Sequence, residues 1–174
     1  MRRVLVIATL LFACSGEEPK KAAPPATPPL DLLLKADPGE ALSVLVAKEE
    51  GPGEEVVVVG RIKTIVKGFA SFQLIDQALD YCGSGGDSME DCPTPWDYCC
   101  IAGPVQNEHT LVVDADGEDG KVMKASGLAG LRLLDLVKVK GKLSRDEHDN
   151  VTLHATGWFL VERPNLREGL RWPE

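Results

Sequence analysis

Val56-Val57-Val58-Val59-Gly60-Arg61-Ile62-Lys63-Thr64-Ile65-Val66 opens as an unbroken β-branched run and becomes an alternation of apolar and polar residues. β-branched side chains suit a pleated surface, and period-two alternation sends one set of side chains to each face, so the stretch reads as a long strand. After a turn at Lys67-Gly68, Phe69-Ala70-Ser71-Phe72-Gln73-Leu74-Ile75-Asp76 reads as a second strand, and Thr110 to Asp114 as a third. Leu136-Val137-Lys138-Val139-Lys140-Gly141-Lys142-Leu143 alternates apolar residues with lysine, the pattern of a half-buried antiparallel strand with a wet lysine face. Val151 to Val161 is the fifth strand, entered through a hairpin turn at Asp146 to Asn150.

Helical signals are few. Pro38, followed by Glu40 and an apolar run from Ala41 to Ala47, suits a short helix over 38–48, stopped by Gly51-Pro52-Gly53. A short helix or turn is expected over Lys124 to Leu134. Five strands with a helix between the third and fourth is the order of an OB-fold barrel. Val57-x-Val59-x-Arg61-Ile62 and Leu136-Val137-x-Val139-x-Gly141-x-Leu143 resemble the OB pattern of a strand with a glycine in its middle, where the chain coils sharply enough to serve both halves of a small barrel. The expectation is an all-β domain, a five-stranded OB-fold-like barrel over 54–164 with a Cys-rich insert over 77–108 between the second and third strands. Residues 30–53 form a short helical lead-in and 165–174 a C-terminal tail. Another small β-barrel or sandwich would show much the same alternation.

The 174 residues carry 19 basic and 27 acidic side chains, a net charge of −8, which argues against nucleic acid as a partner because that affinity rests on Lys and Arg. A hydrophobic fraction of 44 % is enough for one modest core. No apolar run approaches the roughly 20 residues of a helical membrane span.

Arg2 and Arg3 precede an uncharged stretch from Val4 to Ala13, the size of a signal-peptide core. Leu11-Phe12-Ala13-Cys14 resembles a bacterial lipoprotein signal, with Leu at −3, a small residue at −1 and the cysteine that takes lipid; Phe12 stands where that pattern has a small or aliphatic residue. The resemblance implies a signal peptide over 1–13, acylation of Cys14, and a membrane as the first partner, because each buried CH₂ contributes about 0.8 kcal/mol. Ser15 after the cysteine implies the outer membrane by likeness to enterobacterial sorting signals. Residues 14–29 contain five prolines and no large apolar side chain, so they read as an extended tether that holds the domain away from lipid, on the periplasmic or outer side.

Four further cysteines fall within nineteen residues: Cys82, Cys92, Cys99 and Cys100. In an exported chain an even count is read first as disulfides. A Cys99–Cys100 ring is strained by adjacency, so each is expected to pair with one of Cys82 and Cys92. The alternatives are a metal, Zn or an Fe–S cluster held by four thiolates, or catalytic thiols. The surroundings favour a cation, since no Lys or Arg occurs between Lys67 and Lys121 while eleven acids do. The spacing C-x9-C-x6-C-C does not match the paired C-x2-C knuckles of zinc ribbons. His109 could complete a Cys₃His set. Cys92-Pro93-Thr94-Pro95-Trp96-Asp97-Tyr98-Cys99-Cys100 resembles a segment of small exported proteins of planctomycete-like bacteria, which look like OB domains with an insert after the second strand; the likeness implies fold and location but no activity. Trp96, Asp97 and Tyr98 are a candidate binding surface, although the aromatic pair more simply packs over the cysteines as a miniature core.

Asp114 to Gly120 lacks the Gly and Glu of an EF-hand at its sixth and twelfth positions and reads as a hairpin turn. His109, His148 and His154 form no metalloprotease spacing, and no serine lies in a G-x-S-x-G elbow. Lys138, Lys140 and Lys142, with Arg61 and Lys63, make a basic stripe that on an OB barrel could track an anionic polymer or simply keep a solvated face. The sequence therefore points to a non-enzymatic, membrane-anchored binding module of the cell envelope, needing no cofactor, with an envelope protein or glycan as partner. A metal or redox lipoprotein built on the four cysteines is the alternative, and an oligonucleotide-binding domain the third.

Overall fold

A computed structural model describes residues 32–85, 92–125 and 128–165. The signal peptide, Cys14, the tether, residues 86–91 of the insert and the C-terminal tail from 166 onward lie outside the described residues. Among those described, the order is β1 (Leu42–Ser43), α1 (Val44–Glu50), β2 (Glu55–Ile65), β3 (Ser71–Ile75), α2 (Gly103–Glu108), β4 (Thr110–Asp114), β5 (Leu136–Arg145) and β6 (Val151–Glu162).

The class is all-β: one six-stranded mixed sheet in the order β1-β2-β3-β4-β6-β5. β2 also pairs with β5, Val58 opposite Val139 and Gly60 opposite Val137, so the pairings run β2–β3–β4–β6–β5 and return to β2. Two pairs are parallel, β1 with β2 and β4 with β6. Period two decides what is buried. Val58, Gly60 and Ile62 of β2 point inward, as do Val137, Val139 and Leu143 of β5 and Leu153 of β6, while the intervening lysines stay wet. Trp158 and Phe72 fill the middle edge to face, with ring centroids 5.6 Å apart.

The two mid-strand glycines are close approaches. A Cβ on Gly60 would lie 2.8 Å from the Ile75 carbonyl oxygen, and one on Gly141 would collide with the carbonyl of His154. Gly141 also sits where the β5–β6 register shifts.

Two helical expectations are corrected. The helix of the lead-in runs 44–50, not 38–48, because Ser43 is its N-cap: the hydroxyl accepts from Val46 N at 3.3 Å, and the carboxylate of Asp76 accepts from Leu45 N at 3.2 Å. Asp37 and Gly39 form a turn instead, with Gly39 at φ +102°. Between the third and fourth long strands there is no helix among the described residues but a run of turns, with Ala129, Gly130 and Leu134 at positive φ. The expected hairpin turns are present. Asp146 accepts from the backbone of His148 and Asn150, both at 2.9 Å, and Gly117 N donates to Lys121 O at 2.8 Å.

Candidate metal centre

The insert leaves β3 at Ile75 and folds back through backbone hydrogen bonds. Cys82 N donates to Asp97 O at 2.8 Å and Gly83 N to Pro95 O at 2.6 Å. A side chain on Gly83 would lie 2.7 Å from that Pro95 oxygen, so only glycine permits this approach. Turns follow, Asp97 N to Thr94 O and Ile101 N to Tyr98 O, and Gln106 Nε2 on α2 donates to the carbonyls of Tyr98 and Ile101, both at 2.8 Å. A second small core fixes the insert to the sheet: Ile75, Tyr98 and Leu134 are buried together, with Leu79, Tyr81, Trp96 and Ile101 packed around them. The Arg61 guanidinium lies 5.6 Å from the centroid of the Tyr81 ring.

This scaffold gathers Cys82, Cys99 and Cys100, whose sulfurs lie mutually within 4.8 Å, and Cys92 reaches the group through Cys99. Cys82 Sγ is 3.2 Å from Cys99 Sγ and 3.8 Å from Cys100 Sγ; Cys99 Sγ is 3.9 Å from Cys92 Sγ and 4.0 Å from Cys100 Sγ. Cys82 is buried, Cys92 half-buried, and Cys99 and Cys100 are exposed. No pair is at the ~2.05 Å of a disulfide. A zinc ion with bonds of about 2.3 Å in a tetrahedron separates its sulfurs by about 3.8 Å, and the three distances among Cys82, Cys99 and Cys100 bracket that value. A cluster of several irons would hold them farther apart.

The thiols differ in acidity. Burial pushes the Cys82 thiol up to about 12, helped by its contact with Cys99. Cys92 is lowered, first by the backbone N–H of Thr94 and then by the Thr94 hydroxyl. For Cys99 the contact with Cys82 lowers the value, but burial and the contacts with Cys92 and Cys100 outweigh it and the net direction is upward.

The other expected site residues fall elsewhere. His109 caps the C-terminus of α2 and is not in the sulfur cluster, which unites cysteines only. Tyr98 is buried, 1 % exposed, and Trp96 half-buried, so the aromatic pair forms the miniature core and of that trio only Asp97 is fully exposed. This is the simpler of the two readings the sequence offered for the pair, and its cause is plain, since two large rings beside the apolar Ile75 and Leu134 gain more from burial than from solvent. The basic stripe is largely engaged: Lys138 Nζ bonds Asp37 at 2.7 Å, Lys140 bonds Glu55 at 2.8 Å, and Arg61 donates to Leu134 O at 3.2 Å. A shallow groove of about 320 Å³ between α1 and the β5–β6 turn is likewise spanned by its own cations, Lys48 donating to the carbonyls of Asn107 and Glu108 and Arg145 to Asp149.

One constellation had no signal in the sequence. Ser144 Oγ is 2.8 Å from His154 Nε2, and His154 Nδ1 is 2.7 Å from Asp116 Oδ2. The three are 10 and 38 residues apart, on β5, on β6 and just past β4, and only the strand register unites them.

No family model matches the chain, and no curated protein does. Among solved structures, a crystal structure from Leishmania major Friedlin that bears the name aspartyl-tRNA synthetase aligns at 10 % identity and a TM-score of 0.40, over 82 % of this chain and 24 % of that one. The chain thus spans about a quarter of that structure, and a likeness of this size carries no argument about fold or activity.

Proposed function

We propose that this protein is a lipid-anchored, extracytoplasmic metal-binding domain: an OB-type barrel whose four-cysteine insert holds one zinc ion through Cys82, Cys92, Cys99 and Cys100. The observation that carries the metal reading is the mutual spacing of 3.2–4.0 Å among the Cys82, Cys99 and Cys100 sulfurs, too wide for disulfides and close to that of thiolates on one tetrahedral ion, with Cys92 3.9 Å from Cys99 as the candidate fourth ligand. The acidic insert favours a cation and gives an anion no purchase. The barrel reading is supported by the cyclic strand order, the parallel pairing of β4 with β6, and the glycines at the middle of β2 and β5. The anchor rests on Leu11-Phe12-Ala13-Cys14 and the proline-rich tether. An oligonucleotide ligand is disfavoured because most of the basic stripe is tied to Asp37, Glu55 and Leu134.

Intact-mass analysis with metal quantitation, on protein purified without reductant, tests the centre. One zinc per chain and four alkylatable thiols after chelation are expected; two intact disulfides and no metal overturn it. For the anchor, globomycin treatment or Cys14→Ser is expected to block processing, so that a precursor longer by residues 1–13 and without acyl chains accumulates. Unchanged processing refutes that part alone.

A further inference from the structure

We propose that Ser144, His154 and Asp116 form a nucleophilic site on the outer face of the sheet that cleaves unhindered carboxylic esters. It is independent of the cysteine centre and departs from the non-enzymatic expectation. The order of atoms carries the argument. His154 bonds Ser144 through Nε2, at 2.8 Å, and Asp116 through Nδ1, at 2.7 Å. An ionised Asp116 can only accept, so Nδ1 carries a proton, and in the neutral imidazole Nε2 is then bare. The Ser144 hydroxyl must then donate to Nε2. This is the arrangement in which a serine loses its proton as it attacks, while the resulting imidazolium is stabilised by the carboxylate.

The backbone presents all three groups. Ser144 and His154 project from paired strands whose close approach is permitted by Gly141 beneath the His154 carbonyl. Asp116 is held by its bridge to Val122 and by the turn hydrogen bond from Gly117 N to Lys121 O. A purely structural role explains little, because hydrogen bonds between side chains one-third exposed contribute about 1 kcal/mol or less. Lys142 lies opposite His154 and Thr152 opposite Ser144 in the strand register, an ammonium-bearing and a hydroxyl-bearing residue on the neighbouring positions. These can offset the charge that develops on an ester carbonyl oxygen.

In the reaction Ser144 Oγ forms a bond to the ester carbonyl carbon and its proton passes to Nε2. The carbon–alkoxy bond then breaks, and the alcohol leaves with that proton. Water attacks the acyl-serine, giving its proton to Nε2 and then back to Oγ as the acid departs. The net change is ester plus water to acid plus alcohol.

The test uses diisopropyl fluorophosphate, which forms an Oγ–P bond as fluoride leaves. Peptide mass spectrometry of the full chain is expected to place one adduct on Ser144. It should be absent in Ser144→Ala, formed about a hundredfold more slowly in His154→Gln, and slowed in Asp116→Asn with partial recovery in Asp116→Glu. Thermal melts verify that each variant is folded. No adduct on Ser144 in the folded wild type, or an undiminished rate in His154→Gln, overturns the proposal.

Discussion

Cys82→Ser is the sharpest perturbation of the metal centre, because Cys82 is the buried member and its sulfur lies within 3.8 Å of two others. Structural zinc held by four protein ligands contributes about 10–16 kcal/mol of apparent binding free energy. Divided equally, one thiolate contributes about 2.5–4 kcal/mol, so zinc affinity falls about 70- to 900-fold. A second readout follows from linkage. Zinc at 100 times its dissociation constant stabilises the folded state by about 2.7 kcal/mol. For domains of the sizes that bracket this one, that is about 5–20 °C in melting temperature. Competition against a chromophoric chelator measures the first quantity, and thermal melts with and without zinc measure the second. The variant should bind weakly and melt at the temperature of the chelated wild type. Wild-type zinc affinity in Cys82→Ser, or a wild-type melt indifferent to zinc, would refute the reasoning.

Gly141→Ala forces a methyl group against the His154 carbonyl and should cost about 1–3 kcal/mol, read from the denaturant midpoint. Tyr98→Phe removes a buried hydroxyl that has no hydrogen-bond partner among the described residues; stability should stay level or rise by up to about 1 kcal/mol, where a loss above that would reveal a partner. The β5–β6 turn should weaken in acid. Asn150, through its side chain and then its backbone N–H, holds the Asp146 carboxyl below its ordinary range. A folded value below the unfolded one means the stabilisation is present above pH ~4 and is lost as pH falls through the folded value. The protection of the Asn150 amide, relative to its intrinsic exchange rate at each pH, should therefore fall below pH ~4 in the wild type and show no such step in Asp146→Ala. Chelation should raise exchange across 79–106 while β5 and β6 stay protected, and equal loosening of both would contradict the separate cores seen here.

The long strands were legible because their pattern is local: four valines followed by alternation, and lysine at every second position of β5, commit a face without reference to anything distant. β1 was not, since two residues pair in parallel with β2 and gain their meaning only from Val58 and Val59. The start of α1 was misplaced because Pro38 reads as a helix start, whereas Ser43 caps the helix and the Asp76 carboxylate, 31 residues along from Leu45, accepts from Leu45 N. Turns replace helix between β4 and β5 through positive φ at Ala129 and Leu134, residues that carry no preference for it. The cysteines were conspicuous as a group, but bond or ion depends on separations of about 2 ångströms that spacing along a chain does not encode.

The same reasoning explains why the insert can carry chemistry without destabilising the sheet. It joins the fold through Ile75, Tyr98 and Leu134, a core distinct from the one around Phe72 and Trp158. Asp76, directly after β3, bonds both Leu45 N of α1 and Ala78 N of the insert, so the insert's first residues are held by a contact that the metal does not supply. Cys82 and Gly83 are then fixed by hydrogen bonds to Asp97 and Pro95. None of these four hydrogen bonds involves a cysteine sulfur, and they lower the entropy that a metal would otherwise have to offset in gathering the thiols. A loop ordered only by its ligand would bind more weakly for the same four sulfurs. This backbone scaffold, more than the cysteine count, is what supports the proposed metal site.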